Sequence, residues 1–136
     1  MQRRKLFGLA ASLGTLSGAL MASTKPAQAV TPAAAAGIKF TVLFGQPTDA
    51  AAFERHYLSV HLPLLRAVAG IRRIELARPL PQEKGVLPSH HRITELWFDS
   101  LEQMTAVTHS ADWRQVLDDV PKFASGGVTV LVSQLD

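Results

Sequence analysis

No cysteine occurs anywhere in this 136-residue chain. That absence removes disulfides, zinc–thiolate and iron–sulfur ligation, a thiol nucleophile and a lipid anchor on cysteine. The chain must therefore hold itself together by packing. It also carries no Gly-rich dinucleotide fingerprint, no P-loop, no G-x-S-x-G and no H-E-x-x-H, so any reductase chemistry would not use a Rossmann-type nicotinamide site. His90 and His91 are adjacent, and on a strand they would face opposite ways; with no compact carboxylate cluster beside them, no metal site is expected. Acidic residues are missing from positions 1–29, which hold four of the 14 Lys/Arg and none of the 11 Asp/Glu.

What occupies those positions reads as a twin-arginine signal peptide. Arg3-Arg4-Lys5 precede an uncharged stretch of apolar and small residues from Leu6 to Ser23, and Ala27-Gln28-Ala29 is a small-x-small cleavage site. Gly8, Gly14 and Gly18, with Ser12, Thr15 and Ser17, weaken the alternative of a membrane-spanning helix. Cleavage after Ala29 leaves 10 basic against 11 acidic residues, a formal charge of −1, where the whole chain has +3. The basic balance that would suggest nucleic acid or anionic lipid thus belongs to the leader. The expectation is a periplasmic or otherwise exported protein that meets the membrane only through its leader. Residues 30–37, with Pro32 and four consecutive alanines, read as a linker, and residues 38–136 as one domain. A domain this small often gains stability by associating.

Within the domain, Ile38, Phe40, Val42 and Phe44 alternate with mixed residues, which predicts a strand with one apolar face. Thr48 or Asp49 can cap a helix carrying Ala52, Phe53, Tyr57, Val60 and Leu64, and Pro63 should break or kink it near His61. Strands are expected over 71–78 and 91–98, with a proline-rich loop between them. Ser100 with Gln103 forms a capping-box pattern. Ser110 can cap a helix whose stripe is Trp113, Val116, Leu117 and Val120, ended by Pro121. Gly126-Gly127 turns the chain into a last β-branched strand over 128–132. The order β-α-β-β-α-β is the split arrangement of the α+β, ferredoxin-like fold, an antiparallel sheet with helices on one face. Its other face would carry Leu43, Ile93, Trp97 and Leu131 beside polar groups. That is too apolar for water, which points to a homodimer with a cavity between sheet and partner.

Phe53-x3-Tyr57-x3-His61-x-Pro63, Leu96-Trp97-Phe98-Asp99-Ser100 and Asp119-x3-Phe123, in this order, resemble the EthD family of the dimeric α/β-barrel superfamily. The resemblance runs from about Ile38 to Leu135. It implies a ferredoxin-like protomer that pairs into an α/β barrel. Members are often labelled reductases, the founding one being linked to ether degradation beside a monooxygenase system. Superfamily relatives include cyclases, dehydratases, isomerases and small monooxygenases. Family members are commonly cytoplasmic, and the leader here departs from that.

His61 shares a helix face with Tyr57. A helix ending at Pro63 would place it at the negative end of the dipole, favouring a protonated imidazole fit for acid–base work. The bland alternative is a histidine that ties down a frayed carbonyl. Tyr57 could bond a substrate oxygen or simply pack. Glu95, on the face assigned to the cavity with Ile93, Leu43 and Trp97, could shuttle a proton or pair across strands with Arg73. Trp97 could be ligand wall or dimer interface. His56, one step off the stripe, reads as solvated. Asp119, at a helix end that disfavours its charge, reads first as a solvated helix end; the alternative is a specific partner, either Lys122 or a cavity histidine. The expected function is acid–base or reductase-like chemistry on a small apolar, oxygenated molecule, with His61, Tyr57 and Glu95 catalytic and Trp97, Leu43 and Ile93 binding. The alternatives are a non-catalytic binding protein and a haem protein ligated by His61; no cofactor is otherwise indicated.

Overall fold

A computed structural model describes residues 37–136. The expected leader, and all of the expected linker but Gly37, lie outside the described residues. Strand β1 (Ile38–Gly45) leads into α1 (Ala50–His56), a π-helical turn (Tyr57–His61) and α2 (Leu62–Ala67). Strands β2 (Arg73–Ala77) and β3 (His90–Phe98) follow, then α3 (Leu101–Thr108), α4 (Ala111–Asp119), a 3-10 turn (Val120–Lys122) and β4 (Val128–Gln134). The sheet order is β2-β3-β1-β4 with every neighbouring pair antiparallel, and the helices lie on one face. This is the expected ferredoxin-like fold.

The two-residue period of the strands decides which face is covered. Register pairs Ile38 with Phe98, Phe40 with Leu96 and Val42 with Thr94, so the apolar side of β1 meets the even-numbered residues of β3. Leu65, Val68, Val107, Trp113 and Val116 close over this layer as one core cluster. A second cluster joins Phe44, Phe53, Tyr57, Leu62 and Phe123. Three expected caps are present: Asp49, Ser100 and Ser110 accept from the amides of Ala52, Gln103 and Trp113. The reciprocal half of the capping box is not made, because the Gln103 side chain donates to the Gly70 carbonyl at 3.1 Å.

The first helix differs from expectation. It does not break near His61 but continues through Pro63, with the Leu62 amide reaching back five residues to the Tyr57 carbonyl. Proline has no amide proton for the carbonyl four residues earlier and its ring would crowd that group; the wider π turn relieves both problems. The extra residue also re-phases the helix. Val60, expected in the apolar stripe, is 40% exposed, while His61, Leu62 and Leu65 are buried. Leu117, expected in the α4 stripe, is likewise exposed.

Candidate active site

In a regular α-helix, residues five apart point roughly 140° away from each other. The π turn narrows that angle, and His56 and His61 both reach one carboxylate. His56 Nε2 donates to Asp119 Oδ1 at 2.9 Å, and His61 Nδ1 donates to Oδ2 at 3.1 Å. Lys122 Nζ stands 3.6 Å from Oδ1. Asp119 is 1% exposed at the C-terminal end of α4, where the helix dipole disfavours an anion. Two imidazole donors and an ammonium compensate it. Phe123 completes the arrangement, its ring stacked on His56 and tilted against His61 with centroids 5.2 and 4.7 Å apart.

His61 forms part of the wall of a cavity of about 190 Å³ between the covered sheet face and the helices. Phe44, Leu96, Trp113 and Val116 supply apolar walls, and the exposed Leu117, Val128 and Val130 form part of its rim. Among the described residues, His61 and Thr94 are its polar side chains apart from the Trp113 indole. With Nδ1 committed to Asp119, the imidazole presents an unprotonated Nε2, which has no hydrogen-bond partner among the described residues. Thr94 Oγ1 bonds the Tyr57 hydroxyl at 2.5 Å.

Burial lowers the pKa of His61 below its ordinary value; the hydrogen bond and charge of Asp119 offset this in part, and His56 adds to the lowering. Burial thus favours the neutral imidazole. This overturns the helix-dipole expectation, which required a helix end that the structure does not have. For Asp119, burial acts to raise the pKa, but the hydrogen bonds from His56 and His61 outweigh it and hold the carboxyl below its usual range. Burial raises the Tyr57 pKa, so the phenol keeps its proton.

The sheet divides the residues that sequence reasoning had grouped. His61 and Tyr57 lie on the helix side, whereas Leu43, Ile93, Glu95 and Trp97 lie on the opposite face, as the β1–β3 register dictates. The expected grouping of these side chains in one cavity is thus corrected: the cavity holding His61 is on the helix side of the sheet. Glu95 pairs with Lys39 at 3.0 Å rather than with Arg73, which pairs with Glu75 and covers the Trp97 ring. Tyr57 is fully buried and reaches the cavity only through Thr94. His56, expected to be solvated, is only 27% exposed at its side chain and is bound to Asp119.

Sequence reasoning missed Thr94, whose one signal was a polar residue on a face otherwise apolar in the centre of a strand. It also missed Glu54, which accepts from Arg92 through both carboxylate oxygens and from His91 at 2.9 Å. Arg92 is buried and lies 4.7 Å from the Tyr57 ring; its charge, after the opposing effect of burial, helps hold the Glu54 pKa down. This network clamps α1 to β3 and fixes the floor under Tyr57.

A model of the EthD domain matches residues 45–127. An uncharacterised 11.0 kDa protein from the thcB–thcC intergenic region of Rhodococcus erythropolis is 32% identical over 93 residues, 68% of this chain and 89% of that one. The crystal structure of an ethyl tert-butyl ether d (EthD) family protein from Bacillus halodurans superposes with a TM-score of 0.66 at 25% identity, covering 71% of this chain and 96% of that one. A dimeric ferredoxin-like protein of unknown function from Thermobifida fusca shares the fold with a TM-score of 0.57 at 15% identity, over 74% and 92% of the two chains. With the domain model spanning more than half of its length and a relative at 32% identity, this chain belongs to the EthD family.

Proposed function

We propose that this EthD domain is a small enzyme that performs acid–base chemistry on a small apolar, oxygenated molecule in the cavity. One observation carries the reading: a buried histidine, fixed through Nδ1 by a buried carboxylate, lines an apolar chamber with Nε2 left free of partners among the described residues. His61 takes a proton from an acidic C–H or O–H of the substrate, and Asp119 stabilises the imidazolium that forms. Tyr57 and Thr94 share a hydrogen bond; with Tyr57 as its donor, the Thr94 hydroxyl proton is left for the substrate oxygen as negative charge develops there. The proton then returns to another atom of the same molecule, so the reaction is an isomerisation or ring closure with no co-reactant. Apolar walls keep water away from the carbanion or phenolate. The chamber is below the ~300–1,000 Å³ of drug-sized pockets, which suits a compact substrate.

A test is solvent-deuterium incorporation, followed by NMR, across a panel of small ketones, lactones and phenols. His61→Gln should lower exchange by about 10²-fold or more while circular dichroism stays unchanged. Undiminished exchange in that variant would remove His61 as the base. A second reading rests on the same walls. With few polar groups in a largely apolar chamber, the domain would hold a hydrophobic ligand without turnover, and His61→Gln would change affinity alone. Haem fits poorly: His61 Nε2 is the right atom for an axial ligand, but a chamber of about 190 Å³ is too small for the macrocycle.

Two expectations from the sequence complete the proposal. The twin-arginine leader would deliver the domain, folded, to the periplasm. Association into a homodimer would cover the open sheet face, where Trp97, Ile93, Leu43 and Leu131 lie uncovered by the protomer's own helices.

A further inference from the structure

Asp119 serves two histidines that differ in one respect: the His61 side chain is 4% exposed, and that of His56 is 27% exposed. We propose that His56 is a positioning residue for His61, holding at the protein surface the one proton that the shared carboxylate attracts and so leaving the cavity imidazole as a free base. This deepens, and rests on, the reading of His61 as the proton acceptor. It assigns work to a residue that touches neither the cavity nor the substrate.

Charge balance is the physical reason. A single buried carboxylate neutralises one cation well and two poorly, and a cation costs less where water still reaches it. If both imidazoles share Asp119, their protonation is coupled, and the pair takes up its first proton as a unit. That proton resides on the more exposed ring. Once there, His56 opposes a second positive charge on His61 through the same carboxylate, and its Nε2–H keeps Oδ1 occupied so that Oδ2 stays aimed at His61 Nδ1. Among the described residues, the groups facing this system are few. Lys122 Nζ approaches Oδ1 from the 3-10 turn. The Phe123 ring packs on both imidazoles, and the Phe44 ring lies against His61 from β1 at 6.3 Å.

Local backbone geometry gives independent support. Five-residue spacing brings both side chains to one carboxylate across the π turn Tyr57–His61, and π turns, rare overall, are frequent at functional sites. Pro63 accounts for a widened turn; it does not account for the residue at 56 being an imidazole stacked on Phe123 and bonded to a buried acid.

The experiment is ¹⁵N–¹H NMR of the histidine rings in the leader-free domain, titrated from about pH 8 to about pH 5. In the wild type, His56 should become charged while His61 still shows an unprotonated Nε2. His61 charging first would overturn the proposal. In His56→Gln, an uncharged donor replaces the imidazole, and the His61 midpoint should move up. In Asp119→Asn, the attracting charge is gone and the midpoint should move down. A purely structural His56 would leave the His61 midpoint unmoved in folded His56→Gln, and that result also overturns it. The wild-type order needs no variant to fold. None of these readings needs a substrate, so the catalytic proposal can fail in the exchange assay while this one stands, and the reverse.

Discussion

A buried histidine is informative when each ring nitrogen can be accounted for. In His61, Nδ1 is taken by Asp119 and Nε2 is left for the chamber, and burial lowers its pKa. The sign of the resulting pH dependence follows directly. The unfolded chain protonates this histidine near its ordinary value of 6.5, whereas the folded protein resists doing so. Unfolding therefore takes up a proton in the window between the two, and stability is lost as pH falls from 6.5 towards the folded value. Thermal melts should show Tm dropping on acidification through this window, and the drop should shrink in His61→Gln. Asp119, held low, adds a loss at more acid pH, as the medium falls below the ordinary carboxyl value of 3.8 towards the folded one. Thr94 is another polar group of the chamber. Thr94→Val keeps shape and removes the hydroxyl, so exchange catalysis should fall by about 10²-fold with the fold retained. An unchanged rate would mean that the substrate oxygen is bound elsewhere. His61 and Asp119 were both visible in the sequence as a histidine before a proline and an acid at a helix end. Thr94 was not, because one threonine inside a strand carries no local sign of what lies above it.

At the scale of elements, the caps and strand periods were legible because they are local. An Asp or Ser before an apolar stripe satisfies orphan amides whatever the rest of the chain does. Pro63 was also legible, but its consequence was not. Whether a proline ends a helix or is absorbed by a widened turn depends on what the continuing residues can bury, here Leu62 and Leu65. The end of β1 shows a second dependence on distant chain. Gly45 and Gly126 meet backbone to backbone, and a Cβ on Gly126 would lie 2.4 Å from the Gln46 carbonyl oxygen. No side chain there can swing away. Gly126→Ala should cost about 1–3 kcal/mol through this overpacking, seen as a Tm lower by about 4–8 °C per kcal/mol. A melt within error of the wild type would show that the β1–β4 junction yields more easily than its contacts suggest.

The whole molecule sets what faces what. β4 is exposed along its length, with Val128, Val130, Leu131 and Val132 each 42–53% accessible, and an edge strand of this composition is a liability unless it is covered. Leu131 belongs to the open sheet face. Leu131→Lys should convert the proposed dimer to monomer, read by native mass spectrometry of protein expressed with its own leader. The same spectrum reports export, as the mass of a chain starting at Val30. A wild-type monomer, or an uncleaved chain, would sink the corresponding proposal. The sequence by itself determined the α+β class, the order of the elements, the helix caps and the EthD motifs, since these rest on periods and neighbours a few residues apart. It also separated the two faces of each strand, because alternation is a local property. What it could not decide is which strand face a helix side chain joins, and the earlier grouping of His61 with Glu95 and Trp97 failed there. Only the β1–β3 register and the packing of α1 through the π turn placed His61 on the side of Thr94, and Glu95 behind the sheet. The shared carboxylate of His56 and His61 was out of reach for the same reason. It joins residues 63 and 58 positions apart in the chain, and nothing short of the tertiary structure brings the end of α4 to the turn that follows α1.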